Sequence, residues 1–326
     1  MFRRLTALAT VLAVCARRCL SEITLENVES VTESTLNLHT HSIFAPYVDQ
    51  DLQNRWFSFG ADAYINTNKH IRLTQDRPSQ TGWLWSRLPI TVPNFQIEVE
   101  FKITSSSGHL FGDGMAIWLT TRRAESGPVF GFEDKFEGLG IFIDTFANER
   151  HSYGFPRILG MIGDGNTHYD NGKDGHEQAA GACTAQVRQQ DIATKLRITV
   201  LKNHFVNVEV HYRGWDEWTP CFTIEKPKLP PAPFLGVTAL TGEVSEAHDV
   251  ISITASGLII NADKLRGPET PIRQKHRSSS SLFGGFFRFL LKLVFLGIIL
   301  AVAYVGYIAY VKKYGSGKVP WDAKRF

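Results

Sequence analysis

Apolar and polar residues alternate in many short runs between residues 22 and 263 of this chain. The clearest run covers residues 95–103, where every second side chain is apolar, as in a strand with one buried face. Residues 196–200 and 206–210 alternate in the same way on either side of Lys202-Asn203-His204. Two alternating runs separated by a short polar segment predict a β-hairpin.

Other apolar runs in this region are short and continuous. Residues 115–119 and 139–143 suit strands that are buried in a core, and residues 251–255 alternate again near the end of the region. The Ala-rich stretch 177–187 is interrupted by Gly181, which argues against a helix. Many short strands without a long amphipathic helix predict one all-β sandwich domain.

The first 21 residues have the composition of a secretory signal peptide. Two arginines precede an apolar run, and small residues follow it, so we expect cleavage between Ala16 and Ser21. A mitochondrial presequence is the alternative, because Arg17 and Arg18 add positive charge and no acidic residue precedes Glu22. The continuity of the apolar run favours the signal peptide.

A second apolar segment, residues 290–311, predicts a single transmembrane helix. Its residues 293–311 carry no charge, and at ~1.5 Å per residue they nearly cross a ~30 Å hydrocarbon core. Residues 264–289 are rich in Pro, Ser and basic residues and form a predicted linker, and residues 312–326 form a tail. Because basic residues are balanced on the two sides, we expect the signal peptide to set the orientation, with residues 22–263 lumenal and the tail cytosolic.

The composition describes a folded protein and argues against one class of function. Hydrophobic residues make up 43% of the chain and charged residues 21%. The 35 Lys and Arg are balanced by 32 Asp and Glu, whereas nucleic-acid-binding proteins concentrate positive charge on one face. We therefore expect no nucleic-acid partner.

Two of the four cysteines, Cys183 and Cys221, lie in the predicted lumenal domain. An oxidising lumen favours one disulfide between them. Two unpaired buried thiols are the alternative.

Three short segments carry oxygen-bearing side chains next to predicted strands. Residues 110–116 place an acid between two glycines, residues 143–149 contain Asp144 and Asn148, and residues 170–175 form a polar turn. Oxygen donors at this spacing suit a hard cation such as Ca²⁺. Ordinary turn chemistry is the alternative, because Asp, Asn and Gly are common in turns.

These segments, in their order along the chain, resemble the leguminous-type lectins, and most closely the vesicular integral membrane lectins of the early secretory pathway. The resemblance covers roughly residues 41–260. The matching stretches are Arg72-Leu73-Thr74, Gly82 with Trp85, Phe111-Gly112-Asp113-Gly114, Gly127-Pro128-Val129-Phe130-Gly131, Gly140-Ile141-Phe142-Ile143-Asp144-Thr145, Tyr169-Asp170, Lys173-Asp174-Gly175, Gly181-Ala182-Cys183-Thr184, Thr241-Gly242 and His248-Asp249.

The resemblance implies a jelly-roll, concanavalin-like sandwich of two antiparallel sheets, followed by the transmembrane helix. The implied Ca²⁺ ligands are Asp144, the carbonyl of Phe146, Asn148 and Asp174. The resemblance also implies sugar contacts from Asp113 and Asn148, and a cis peptide between Gly112 and Asp113.

Three positions depart from the family pattern near the expected sugar site. Trp83 stands where the family often has Ser, and Asn171 where it often has His. Gly242 and Glu243 belong to a loop that shapes mannose selectivity, with Glu in place of Asp. We expect all four residues to contact sugar, because Trp can stack on a sugar face and Asn and Glu can hydrogen-bond. The changes leave the metal ligands intact and bear on mannose preference and affinity.

Together these features predict a type I membrane lectin that binds high-mannose glycoproteins with Ca²⁺ and sorts them between endoplasmic reticulum and Golgi apparatus. The tail ends in Phe326, and a terminal aromatic resembles coat-binding exit signals, so vesicle coat proteins are expected partners. A solvated basic tail is the alternative. No covalent chemistry is expected.

Two other functions are compatible with such a sandwich. A cargo adaptor could keep the fold and bind protein instead of sugar, which the departures at Trp83, Asn171 and Glu243 favour. A glycoside hydrolase would need two carboxylates ~5–10 Å apart across the scissile bond. The closest pattern is Glu98 and Glu100, which lie on a strand face predicted to be solvated.

Overall fold

The computed structural model of the chain describes residues 32–261 and 282–314. The first range contains fifteen β-strands and three short 3₁₀ helices, and the second forms one α-helix. The strands are β1 (Thr32–Asn37), β2 (Phe57–Ala61), β3 (Tyr64–Asn66), β4 (His70–Thr74), β5 (Thr81–Ser86), β6 (Asn94–Thr104), β7 (Gly114–Thr120), β8 (Glu137–Asp144), β9 (Arg157–Asp164), β10 (Gly181–Thr184), β11 (Thr194–Leu201), β12 (Phe205–His211), β13 (Trp218–Glu225), β14 (Phe234–Leu240) and β15 (Ala247–Ile260). The helix, α1, spans Leu282–Tyr314, and the 3₁₀ helices span His39–His41, Asn171–Lys173 and His176–Gln178.

The strands form two antiparallel sheets. The larger sheet has the order β13-β12-β11-β6-β15-β4-β3, with β1 also paired to β15. The smaller sheet has the order β10-β9-β8-β7-β14-β5-β2. Buried Ile, Leu, Val and Phe side chains from both sheets meet in one core between them. The predicted all-β jelly-roll sandwich is confirmed.

Strand β6 shows the burial pattern that its sequence predicts. Its apolar side chains at positions 95, 97, 99, 101 and 103 are buried, and its polar side chains lie on the outer face of the larger sheet. The predicted hairpin is formed by β11 and β12 around Asn203, whose φ of 65° is a left-handed conformation that Asn tolerates. The stretch 177–187 forms a short 3₁₀ turn and β10, and no α-helix.

The smaller sheet is buried on both faces, which explains its continuous apolar strands. All seven residues of β7 are buried. One face of the sheet meets the core, and the other is covered by a second group of buried side chains that we call the aromatic cluster. The rings of the aromatic cluster are Trp85, Trp118, Phe130, Phe132, Phe136, Phe142 and Tyr169. Since both sets of alternate side chains meet apolar surroundings, this sheet has no need of a polar face.

A disulfide between Cys183 and Cys221 joins the two sheets, as predicted. Cys183 lies in β10 at the edge of the smaller sheet, and Cys221 lies in β13 at the edge of the larger sheet. Their Cα atoms are 5.1 Å apart. The crosslink therefore closes one side of the sandwich.

Helix α1 contains a segment, Phe289–Tyr310, that is long and apolar enough to cross a membrane. Its 22 residues are not buried within the protein and extend ~33 Å at 1.5 Å per residue. The helix begins at Leu282, inside the predicted linker. The predicted signal peptide, residues 264–281 of the linker and residues 315–326 of the tail lie outside the described residues.

Candidate functional site

Three neighbouring strands of the smaller sheet bring the candidate sugar and metal residues together. Gly114 at the start of β7 lies opposite Asp144 at the end of β8 and opposite Leu240 at the end of β14. Asp113, which precedes β7, therefore lies at the same end of the sheet as Asp144 and Leu240. A pocket of about 130 Å³ opens there. It is lined by Asp113, Asp144, Asn148 and Asn171, together with Phe130 and Tyr169 of the aromatic cluster.

Asp144 is a buried carboxylate with a second carboxylate close to it. It accepts the N–H of Phe146 at 3.1 Å. Burial, and after it the negative charge of Asp174, raises the pKa of Asp144 well above its ordinary value, although Arg157 opposes the shift. Two carboxylates that repel each other in a buried place are stabilised by a cation between them.

Asp174 holds the loop that follows β8. Its side chain is fully buried and accepts the backbone N–H groups of Asn148 at 3.0 Å and Glu149 at 3.3 Å. The Nδ2 of Asn148 donates to the same carboxylate at 2.7 Å, and Nε2 of His151 lies 2.7 Å from it. One carboxylate from the turn 170–175 therefore fixes the segment that carries Asn148.

The local sequence fixes the turn that carries Asp174. Asp170 precedes the 3₁₀ helix Asn171–Lys173, and its side chain accepts the N–H of the last residue of that helix. Asp174 and Gly175 then adopt positive φ values of 50° and 61°. A Cβ on Gly175 would collide with the ring of Tyr169, so only glycine fits there. The polar turn predicted from the sequence thus has a specific geometry that places Asp174 against Asn148, which lines the pocket.

The set of donors suits a hard divalent cation. Asp144 and Asp174 offer carboxylate oxygens, Asn148 an amide oxygen and Phe146 a backbone carbonyl. Within residues 32–261 and 282–314, no group of three or more His, Cys, Asp or Glu side chains is placed to hold a metal ion. A metal in this pocket would therefore need the amide and carbonyl oxygens as well, and these are ligands that Ca²⁺ takes readily.

Asp113 is held in place through its backbone. Its carbonyl accepts the backbone N–H of Thr145 at 3.0 Å, and Oγ1 of Thr145 lies at the same distance from it. The Gly112–Asp113 peptide is cis, as the family resemblance implies. Burial raises the pKa of Asp113, and His248 lowers it while Glu246 raises it further. The carboxylate is thus partly shielded from water at the edge of the pocket.

A buried polar network beneath Asp113 is not anticipated by the sequence analysis. Glu246 is fully buried and accepts hydrogen bonds from the hydroxyl of Thr145 and from Nε of Arg188, the latter at 2.6 Å. His248, also fully buried, has Nε2 at 3.2 Å from Glu246. Thr145 and His248 lie in stretches that match the family, but no local pattern points to Glu246 or Arg188.

Glu246 is a carboxylate whose charge the network stabilises. Burial alone would raise its pKa, but hydrogen bonding to His248 and the positive charge of that ring act against burial. Hydrogen bonds from Thr145 and Arg188 add to this effect, so the pKa of Glu246 lies below its ordinary value.

The remaining candidate sugar residues lie at different distances from this pocket. Asn148 and Asn171 line it together with Asp113. Gly242 lies against Asp113, since a Cβ on Gly242 would be 3.0 Å from Oδ2 of that carboxylate. Glu243 is exposed and is not among the residues that line the pocket.

Trp83 lies apart from the pocket. It pairs with Gly60 in the ladder between β2 and β5, its ring covers Gly60, and it packs against the aromatic cluster. Next to Gly242 the structure instead places Ser79, an exposed residue whose N–H donates to the Gly242 carbonyl at 3.0 Å. The sugar contact of Trp83 stays a prediction, which this placement does not favour, and Ser79 is a candidate that the sequence analysis missed.

The two carboxylates considered for a hydrolase are paired with cations on the outer face of the larger sheet. Glu98 contacts Nε of Arg197 at 2.8 Å, and Glu100 lies 3.7 Å from Nζ of Lys195. Both acids belong to β6 and take no part in the pocket.

Comparison with known proteins agrees with this geometry. The model of the legume-like lectin family matches residues 34–264. The chain belongs to the legume-like lectin family. Membership of this carbohydrate-binding family also confirms the prediction of a binding protein rather than an enzyme.

Relatives of this lectin occur in fungi and animals. An L-type lectin-like domain-containing protein of Schizosaccharomyces pombe is 38% identical over 82% of this chain and 85% of its own length. The VIP36-like protein of Mus musculus is 38% identical over 73% of this chain and 67% of its own length. The matches to human VIP36-like protein and human VIP36 each cover 62% of the relative.

Solved structures show the same lectin fold. The crystal structure of the VIP36 exoplasmic/lumenal domain bound to Ca²⁺ and Man2 has a TM-score of 0.65 and 32% identity, over 69% of this chain and 90% of that one. The Emp47p carbohydrate recognition domain, at 18% identity and a TM-score of 0.57, shares the fold.

Proposed function

We propose that this chain is a type I membrane lectin that binds high-mannose N-glycans in a Ca²⁺-dependent manner. The observation that carries the proposal is one pocket lined by Asp113, Asp144 and Asn148. The buried carboxylate of Asp174 bonds to Asn148 behind these residues and repels Asp144. The structures of the VIP36 lumenal domain with Ca²⁺ and with mannose or Man2 support it, because VIP36 is a relative of this chain.

The calcium ligands would be Asp144, the carbonyl of Phe146, Asn148 and Asp174. When bound, the ion supplies positive charge that offsets the repulsion between the two carboxylates. Asp174 already accepts two backbone N–H groups of residues 148 and 149, so the loop is largely ordered by the protein itself. Preordering of this kind lowers the entropic cost of ligand binding.

The sugar contacts would centre on Asp113. Its carboxylate can accept hydrogen bonds from two neighbouring sugar hydroxyls, and Asn148 and Asn171, which also line the pocket, can donate or accept. Gly242 has no side chain, so sugar can approach the Asp113 carboxylate from that side. Glu243 would act only at the outer edge of a larger glycan, because it is exposed and outside the pocket.

We further propose that the protein is a glycoprotein cargo receptor of the endoplasmic reticulum and Golgi membranes. Helix α1 supplies a segment suited to a single membrane span. The relative VIP36 is named a vesicular integral-membrane protein, which supports a vesicular location. The lumenal orientation rests on the predicted signal peptide, and recognition by coat proteins rests on the predicted cytosolic tail ending in Phe326.

A lectin-fold adaptor that binds protein is the second candidate. It is favoured by Glu243, since the loop expected to select mannose presents an exposed carboxylate outside the pocket. Such an adaptor would keep the calcium loop and lose glycan binding.

The test is glycan binding by the full chain in neutral detergent micelles, on an array of high-mannose and complex glycans, with and without Ca²⁺. Asp113→Asn is compared with Asp216→Asn, which changes an exposed carboxylate in the loop between β12 and β13. We expect binding that requires Ca²⁺, is lost in Asp113→Asn and persists in Asp216→Asn. Calcium binding measured by calorimetry without any glycan bound would reject the lectin proposal and favour the adaptor.

A further inference from the structure

A second concave surface lies at the other end of the sandwich. It is formed by Val92, Pro93 and Phe95 at the entry to β6, by residues 200–203 around the turn between β11 and β12, and by residues 226–231 with Pro233, and we call it the proline groove. Strand β14 begins just after the groove residue Pro233 and ends at the sugar-pocket residue Leu240. Six steps along this strand at ~3.3 Å separate the two sites by about 20 Å. Both sites can therefore be occupied at the same time.

The proline groove is apolar, and its wall contains five prolines. They are Pro93, Pro227, Pro230, Pro231 and Pro233. Aliphatic side chains and Phe95 form the remaining apolar lining, and the groove has a volume of about 410 Å³, against about 130 Å³ for the sugar pocket. Volumes of this size accommodate several side chains of a ligand.

The groove is already formed in the free protein. Ile90 N–H donates to the Pro233 carbonyl at 2.8 Å, and Lys226 N–H donates to the His204 carbonyl at 2.7 Å. Each proline fixes its own φ angle, so the wall loses little further freedom when a ligand binds.

The charge of the groove has one sign. Lys202, Lys226 and Lys228 line it, and no Asp or Glu is among its lining residues. Lys202 and Lys228 are exposed, so their ammonium groups can reach a ligand that lies along the apolar wall. An occupant that complements this surface must present apolar side chains and carboxylates side by side.

We propose that the proline groove binds an extended acidic peptide segment of a partner protein, with aliphatic side chains against the prolines and carboxylates paired with Lys202 and Lys228. A peptide meets both requirements, because its alternate side chains point to opposite sides. A flat lipid surface cannot enter a concave groove, and a neutral sugar gains nothing from the three lysines. The groove gives the protein a contact to its partner that does not depend on glycan.

The test uses the full chain in neutral detergent micelles and a fluorescein-labelled peptide, acetyl-Glu-Leu-Pro-Glu-Leu-Glu-amide, measured by fluorescence anisotropy. Matched peptides carry Gln or Lys in place of every Glu. The variant Lys202→Glu/Lys228→Glu is compared with Lys69→Glu/Lys102→Glu, which reverses two exposed lysines outside the groove.

We expect saturable binding of the acidic peptide, weakened about tenfold or more by Lys202→Glu/Lys228→Glu and by added salt, and unchanged by the control variant. Glycan-array binding should be the same in both variants. Absence of peptide binding with normal glycan binding would therefore reject the groove proposal alone, and absence of glycan binding with normal peptide binding would reject the lectin proposal alone. Absence of peptide binding, or equal binding of the Gln peptide, would overturn the inference. Binding of phosphatidylserine vesicles in place of peptide would also overturn it. The same holds if the peptide binds only after deletion of residues 22–31, which contain three Glu.

Discussion

Arg188 donates from Nε to Glu246 at 2.6 Å, and the same guanidinium lies 3.2 Å from the ring centre of Phe111. Glu246 also accepts the hydroxyl of Thr145, and the backbone N–H of Thr145 donates to the carbonyl of Asp113 at 3.0 Å. The segment that ends in Asp113 is therefore braced twice by one buried ion pair, at the ring of Phe111 and at the carbonyl of Asp113. The position of Asp113, the proposed sugar contact, therefore depends on buried groups that lie outside the pocket lining.

Replacing Glu246 with Gln should destabilise the domain by ~3 kcal/mol at neutral pH, because Arg188 then loses its charged partner in a nearly buried place. Urea unfolding of the wild type and of Glu246→Gln measures the difference. A matched control is Glu243→Gln, since Glu243 is exposed and nearby in sequence. Equal stability of Glu246→Gln and wild type would show that the ion pair contributes nothing to the fold.

The same variant has a predictable pH dependence. The pKa of Glu246 is lower in the folded protein than its ordinary value of 4.5, so its contribution to stability is present above that value and is lost as the pH falls through the folded pKa. The stability difference between wild type and Glu246→Gln should therefore shrink as the pH falls below about 4. A difference that grows below about pH 4 would mean that the folded pKa of Glu246 is raised instead.

Gly242→Ala should weaken glycan binding without affecting calcium. The added Cβ would lie 3.0 Å and 3.2 Å from the two carboxylate oxygens of Asp113 and would push that group away. Loss of one hydrogen bond to a charged group corresponds to about tenfold or more in affinity. Calorimetry with a high-mannose glycan and with Ca²⁺ alone separates the two effects, and equal loss of both would point to general disorder of the loops.

Sequence periodicity predicted most of the sandwich because alternation records which face of a strand is buried, as in β6. It could not assign a face to Trp83, because the smaller sheet is buried on both sides and both sets of its side chains are apolar. The segments proposed to bind calcium could be found from Asp, Asn and Gly at turn spacing and from family resemblance. Arg188 and Glu246 could not be found in this way, because their contact joins residues 58 positions apart and leaves no periodic pattern.

Removal of the disulfide should lower stability without changing the sugar pocket. The bond between Cys183 and Cys221 closes a long loop and joins the edges of the two sheets, so the Cys183→Ala/Cys221→Ala variant should lose ~2–4 kcal/mol. Thermal unfolding with and without dithiothreitol provides the measurement. The wild type should become as unstable as the double variant when reduced, and the double variant should not respond to the reductant. Loss of calcium-dependent glycan binding in the folded double variant would contradict this separation.

Substitution of Trp83 should mainly lower stability, and substitution of Ser79 should mainly weaken glycan binding. Trp83 covers Gly60 and packs against the aromatic cluster, so Trp83→Ser leaves a cavity and should cost ~2–4 kcal/mol while glycan affinity stays within about twofold. Ser79 is exposed, and a backbone bond that alanine would keep places it next to Gly242, beside Asp113. Ser79→Ala removes only a hydroxyl that can hydrogen-bond to sugar, so it should weaken glycan binding several-fold with little loss of stability. Urea unfolding and glycan calorimetry on both variants give four independent values. The opposite pattern, with Trp83→Ser stable but deficient in binding, would restore the indole ring as a sugar-stacking surface and remove Ser79 from the site.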